Sequence, residues 1–323
     1  MKPWRVSLLL ALLVALLFVG SLMAGKVWVP FSAWFGSDPR WWIVAELRLP
    51  RAILGLAVGA ALGLSGAVLQ GYLRNPLADP AVVGISSSAA LGAVAAILLL
   101  AAESPILVFG CAMLAAGGAM LLLAGLAWRT RSSVAFILAG TVLASLTGAL
   151  TAFLISIAPN PYATAEAIDW IMGALTDRSF AEVRIALPFI AIGGALLLAT
   201  GRALDALTLG EGAARSLGER PERLQLLVVL GSGLAVGASV AVTGVVGFVG
   251  LIVPHLVRPL VGARPSALLV PSALGGAALV LGADSLVRLA PGAGEVRLGV
   301  AMALIGAPFF LMLLLRMRRS AWI

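Results

Sequence analysis

Charge is scarce in this chain. Only 11% of its 323 residues are Asp, Glu, Lys or Arg, while 61% are hydrophobic, and the mean hydropathy is +1.09. A water-soluble domain of this length has no core large enough to hide such a composition. Cysteine is nearly absent. Cys111 stands alone in an apolar run, which excludes a disulfide framework and a cysteine metal site and leaves a small hydrophobe. His255 is the only histidine, and no second histidine, cysteine or clustered carboxylate accompanies it, so a naked metal ion has no ligand set. Neither a nucleophile–base pairing nor a Gly-x-Ser-x-Gly elbow is present, which removes hydrolytic chemistry. Gly20 to Lys26 reads G-x-x-x-x-G-K, but Val27 stands where Ser or Thr must hold magnesium, and no strand precedes it.

What is abundant is long apolar sequence. Runs of about 17–25 residues recur, each long enough to cross a bilayer core of about 30 Å as a helix. They must be helical, because lipid offers bare amides no partners. The first, Val6 to Ala24, exceeds a signal-peptide core and reads as a retained span. Nine more follow at 52–73, 83–101, 106–127, 134–157, 184–200, 224–243, 245–260, 267–287 and 298–315. Glycines from Gly244 to Gly250 mark a turn or a kink between two of them. The chain reads as one all-α polytopic domain over 1–323. With both termini inside, 14 of the 22 basic residues lie in the cytoplasm beside five acids, including Asp79 and Asp205. Eight basic residues face nine acids outside, so the basic balance is an orientation signal rather than a nucleic-acid signal. Trp28, Trp34, Trp41 and Trp42 fit an outer aromatic belt.

The stretch from Glu46 to Ser88 is the most informative. Gly55, Gly59 and Gly63 recur every fourth residue and strip one helix face for close approach of another helix. RLPR at 48–51 precedes it, and SGAVLQGYLRNPLADPAVVG at 65–84 ends it in a proline-broken elbow. Further motifs are LGEGAARSLG at 209–218, GVVGFVGLIVPHLVR at 244–258, ADSLVRLA at 283–290 and GVAMALIGAPFFLMLLL at 299–315. On these the chain resembles the FecCD family, permease subunits of bacterial ATP-driven importers for iron chelates, haem and cobalamin. The motifs span essentially the whole chain.

The resemblance implies a type II importer permease fold of ten helices in the bacterial inner membrane. It also implies a homodimer of two copies, two cytoplasmic ATPase subunits that bind ATP and magnesium, and a periplasmic binding protein that delivers a metal chelate. On the same resemblance the chain is expected to hold no cofactor of its own and to be a non-catalytic subunit. The cytoplasmic loop at about 203–221 would present coupling helices through Leu209, Gly210, Glu211, Ala213, Ala214, Leu217 and Gly218. Leu204, Leu207 and Leu217 read as its apolar ridge, either a partner surface or an amphipathic segment on the inner leaflet. Arg48, Arg51 and Arg288, at outer span ends, either anchor among headgroups or dock acidic groups of the binding protein. Thr141, Ser145, Gly148 and Ala152 share one face of span five, which the family places on the translocation path; the same face also suits helix packing. Ser132 and Ser133 fall at the cytoplasmic gate of relatives. Asp284 and Glu295 lie beside Arg288 and Arg297, which favours mutual pairing over a proton relay.

An ion-coupled secondary transporter is the competing class. It should carry mid-membrane ionisable residues, and spans three to six contain none except Arg184 at an edge.

Overall fold

A computed structural model describes residues 2–34, 38–81, 83–102, 104–130, 133–290 and 295–320, except the side chains of 127–130, 133–134, 314 and 316–320. Among them there are helices and no strand. They run α1 (Pro3–Met23), a π-helical turn (Ile43–Arg48) continuing into α2 (Leu49–Tyr72), α3 (Ile85–Leu100), α4 (Pro105–Thr130), α5 (Ser133–Ser156) and α6 (Pro161–Ile171). Then come α7 (Phe180–Leu198), α8 (Gly201–Leu207), α9 (Glu211–Ser216), α10 (Pro221–Thr243), α11 (Val249–Val261), α12 (Pro265–Leu289) and α13 (Leu298–Ser320). Seven described stretches are long and apolar enough to cross a membrane, and three shorter apolar helices complete the ten expected segments. The short helix α6, capped by the Asn160 side chain accepting from Ala163 N–H at 2.9 Å, has no counterpart among the expected spans.

Helix α2 is the axis of the bundle, with only Ile53, Leu56 and Ala60 escaping full burial between Pro50 and Gln70. Its glycine face has the expected purpose. A Cβ on Gly59 would strike the Gly276 carbonyl, and one on Gly63 the Ser272 carbonyl, so α2 and α12 touch backbone to backbone. The same device recurs where Gly193 of α7 meets Ala235 of α10 and where Gly92 of α3 meets the Cys111 carbonyl of α4. Small residues, rather than a hydrophobic gain that lipid would match, allow this packing.

The break at 244–248 is real, and it is deep. Ser65 Oγ of α2 donates to Ser232 Oγ, half-way along α10, at 3.2 Å. Gly66, the next residue, abuts Gly250 in the first turn of α11. Helix α11 therefore starts level with the middle of α10. Its 13 residues make about 20 Å of helix, short of a bilayer core of about 30 Å. Irregular backbone inside a membrane survives only within protein, and at the α10 end of this break Gly244 (φ 70°) and Gly173 (φ 71°) interlock with the Trp170 and Val245 carbonyls.

Candidate coupling elbow and translocation face

At the end of the bundle that holds Lys2, Arg74, Arg202 and Arg264, α8 and α9 form a short helical elbow. Gly210 (φ 104°) joins them and Gly218 (φ 84°) ends α9. A side chain at either would meet no neighbour, so backbone conformation alone selects glycine there. The apolar ridge needs correction. Leu204 and Leu207 are buried, pinning α8 to the bundle, while Leu209 (69% exposed) and Leu217 (64% exposed) point outward. Of the other expected residues, Glu211 is exposed, Ala213 half-buried and Ala214 buried beneath α9. An open cleft of about 780 Å³ lies between this elbow and the start of α12, lined by Leu209, Leu217, Arg202, Glu219 and Arg264.

Sequence reasoning misses Asp205 as a site residue. Helix α12 has no side-chain cap of its own, and Asp205 supplies one from α8. Its carboxylate accepts Ser266 N–H at 2.9 Å, Ser266 Oγ–H at 2.6 Å and Arg264 Nε–H at 2.7 Å. These bonds fasten the elbow to the start of α12. The only hint in the sequence is an uncapped Arg-Pro-Ser start at 264–266.

The three arginines expected as an outer docking rim are inside. Arg48, Arg51 and Arg288 are 5%, 9% and 3% exposed. Arg48 donates to the Leu22, Met23 and Val27 carbonyls. Arg51 grips Asp284 through Nε and Nη2, at 3.0 and 2.8 Å, and meets Glu295 at 2.9 Å. Arg288 donates to the Ser21 and Ala24 carbonyls and Ser21 Oγ, and pairs with Asp284 at 3.1 Å. With their donors engaged inward, they join α1, α2 and α12. Glu295 thus pairs with Arg51, not Arg297, which pairs with Asp169 at 2.9 Å.

The elbow after α2 is also displaced from its expected place. Asp79, expected in the cytoplasm, is buried at the level where α11 begins: a Cβ on Gly250 would lie 3.1 Å from its Oδ2. Its Oδ1 accepts Ala81 N–H at 2.8 Å. Its Oδ2 lacks a well-formed hydrogen bond and faces the first turn of α11, where the Leu251 amide draws on it. Gln70 donates to the Gly250 carbonyl at 3.2 Å and accepts from Arg258 at 2.8 Å, so α11 is held to α2 at two levels.

On α5, Ser145, Gly148 and Ala152 are exposed and Thr141 is half-buried. The hydroxyls are satisfied locally, Thr141 donating to the Leu138 carbonyl at 2.8 Å and Ser145 to the Thr141 carbonyl at 2.9 Å. The face therefore presents small groups with no donor left over. Thr147 and Thr151 turn the other way and are buried, Thr147 donating to Ser87 at 3.0 Å. Ser132 lies outside the described residues, as does the side chain of Ser133. His255 packs edge-on against Phe309 of α13 at 5.9 Å.

The family model of the FecCD transport family matches residues 11–316. The chain belongs to the FecCD transport family. Among relatives of this family member, a cobalamin import system permease protein of Halobacterium salinarum is 42% identical over 282 residues, covering 84% of this chain and 73% of that protein. The Fe(3+) dicitrate transport system permease protein of Escherichia coli is 36% identical, covering 92% and 94%. A metal-chelate type ABC transporter solved in an inward-facing conformation has a TM-score of 0.85 at 32% identity, covering 97% of this chain and 99% of that one.

Proposed function

We propose that this chain is the membrane-spanning permease subunit of an ATP-binding cassette importer in a bacterial inner membrane, moving a metal chelate such as cobalamin or a ferric complex inward. The observation that carries this is the α8–α9 elbow, an exposed Leu209–Leu217 pair on a glycine-jointed loop that Asp205 fastens to α12. Exposed apolar residues on a loop fit a partner surface. The partners are two ATPase subunits at this end, which the excess of basic residues makes cytoplasmic. A second copy of the chain packs so that the small face of α5 lines the path, and a binding protein delivers cargo at the opposite end.

The chain performs no bond chemistry. ATP binds the partner subunits, and it shifts the pathway from one exposure to the other only by favouring one permease conformation over the other. In reconstituted transporter, Leu209→Glu with Leu217→Glu should abolish co-purification of the ATPases. Asp205→Ala should keep the ATPases bound yet lower uptake about tenfold, because removing one cap and its ion pair costs about 1–2 kcal/mol. Gly210 and Glu211 variants should likewise separate ATP hydrolysis from uptake. Unchanged uptake in all of them would sink the coupling role.

One observation favours the ion-coupled reading: Asp79 is an ionisable group at mid-depth. Uptake into vesicles decides between the two. ATP dependence that survives a protonophore, in wild type and in Asp79→Asn alike, supports the importer; uptake driven by a proton gradient without ATP supports the alternative.

A further inference from the structure

At the end opposite the coupling elbow, a cavity of about 140 Å³ opens among the ends of α3, α4, α6, α7 and α10. Neither the coupling elbow nor the α5 face includes it. Its lower wall is apolar, built by Phe109, Val108 and Ile185, while Arg178, Glu182 and Glu166 line it with the indole of Trp170. Arg178 is anomalous. Its Nε is buried and has no hydrogen-bond partner among the described residues. Arg178 as a whole is half-buried, whereas the fully buried arginines Arg48, Arg51 and Arg288 are all engaged.

A desolvated guanidinium remains charged, and leaving a donor unmet is costly. Its acidic neighbours Glu182 and Asp177 do not cure this, and Asp177 is exposed. Glu182 commits Oε2 to the Ser179 N–H at 2.8 Å and the Ser179 hydroxyl at 2.7 Å, closing the capping box that starts α7. Glu166 is exposed at the mouth. The site therefore offers an inner cation with an unmet donor and an outer carboxylate beside an aromatic ring. Leu99, Leu100 and Ile106 flank it and are 62%, 57% and 64% exposed, as residues facing acyl chains would be.

We infer that this cavity is a binding site for the headgroup of a phospholipid carrying a primary ammonium, its phosphate on Arg178 and its ammonium on Glu166, with the acyl chains along the ends of α3 and α4. Guanidinium forks match phosphate oxygens in geometry and charge. The carboxylates disfavour an acidic side chain or a purely anionic headgroup, and they complement the ammonium. Trp170 sits where indoles gather, at the boundary between hydrocarbon and headgroup. A free phosphate shares the inner contact but gains nothing from Glu166 or the apolar flank.

The test is native mass spectrometry of the full chain in detergent, titrated with phosphatidylethanolamine, phosphatidylglycerol and phosphatidylcholine, and separately with inorganic phosphate. Wild type should retain phosphatidylethanolamine in preference to the other two. Arg178→Gln should lose about tenfold of that retention, the effect of removing a charged hydrogen-bond partner, and Arg178→Lys should recover part of it. Glu166→Gln should keep lipid binding but erase the preference for ethanolamine over glycerol. Unaltered elution and Tm show that each variant is folded; should Arg178→Gln fail this, Glu166→Gln and Arg178→Lys carry the test. Equal lipid retention by wild type and folded Arg178 variants overturns the proposal. So does binding of inorganic phosphate alone, without lipid preference.

Discussion

Alanine at Gly276 will leave little folded protein. The new Cβ would be driven onto the Gly59 carbonyl, with Gly63 Cα just behind it at 3.1 Å. Neither atom belongs to a side chain that can rotate away, so α2 and α12 must separate. Separation would also pull apart the Arg51–Asp284 pair that joins the same two helices. Overpacking a core costs about 1–3 kcal/mol when side chains can shift, and this contact has no such freedom. A loss above about 3 kcal/mol is expected, read as a collapse of the monodisperse peak on size exclusion in detergent. Gly282 provides the control on the same helix, since nothing lies within 4 Å of the point that a methyl group there would occupy. Gly282→Ala should be neutral or raise stability by about 0.5–1 kcal/mol through reduced unfolded-state freedom. A Gly276→Ala protein with wild-type Tm would show that the two backbones are not in contact.

Asp284→Leu should be nearly as damaging. That carboxylate, 1% exposed as a residue, is the counter-ion shared by Arg51 and Arg288. Without it two buried guanidiniums face each other, and only Glu295 remains near Arg51. Removing one member of a buried pair costs about 3–5 kcal/mol, because the other charge is left uncompensated. Because the group is shielded from solvent, added salt should not restore stability, whereas surface pairs such as Arg215–Glu222 respond to it. Arg51→Met in the Asp284→Leu background should recover part of the loss, since an apolar replacement of both partners is far less costly than breaking one. A single mutant as stable as wild type would dismiss the cluster as a lock.

The buried arginines also show where residue type fell short, in the direction their side chains take. Arginines at helix ends near a membrane surface read as headgroup anchors or docking groups on their own spacing. Only the arrival of Asp284, 233 residues away from Arg51 in sequence, and of the free carbonyls at the end of α1 turns them inward. Asp79 follows the same logic. Its proline-rich neighbours correctly mark a break after α2, but the break folds back toward Gly250 instead of staying at the surface.

By itself the sequence determined the class and the repeating contacts. Scarce charge and ten apolar runs require membrane helices, the four-residue spacing of Gly55, Gly59 and Gly63 requires a helix partner on that face, and the motifs of 46–315 name the family. These are local signals, because helical periodicity relates residues only three or four apart. Tertiary structure alone decided where α11 begins, which acid satisfies which arginine, that Asp205 caps α12, and that Arg178 is left facing a cavity. Those outcomes depend on which elements meet at which depth, and no spacing along one helix records the partner that packing brings to it from another.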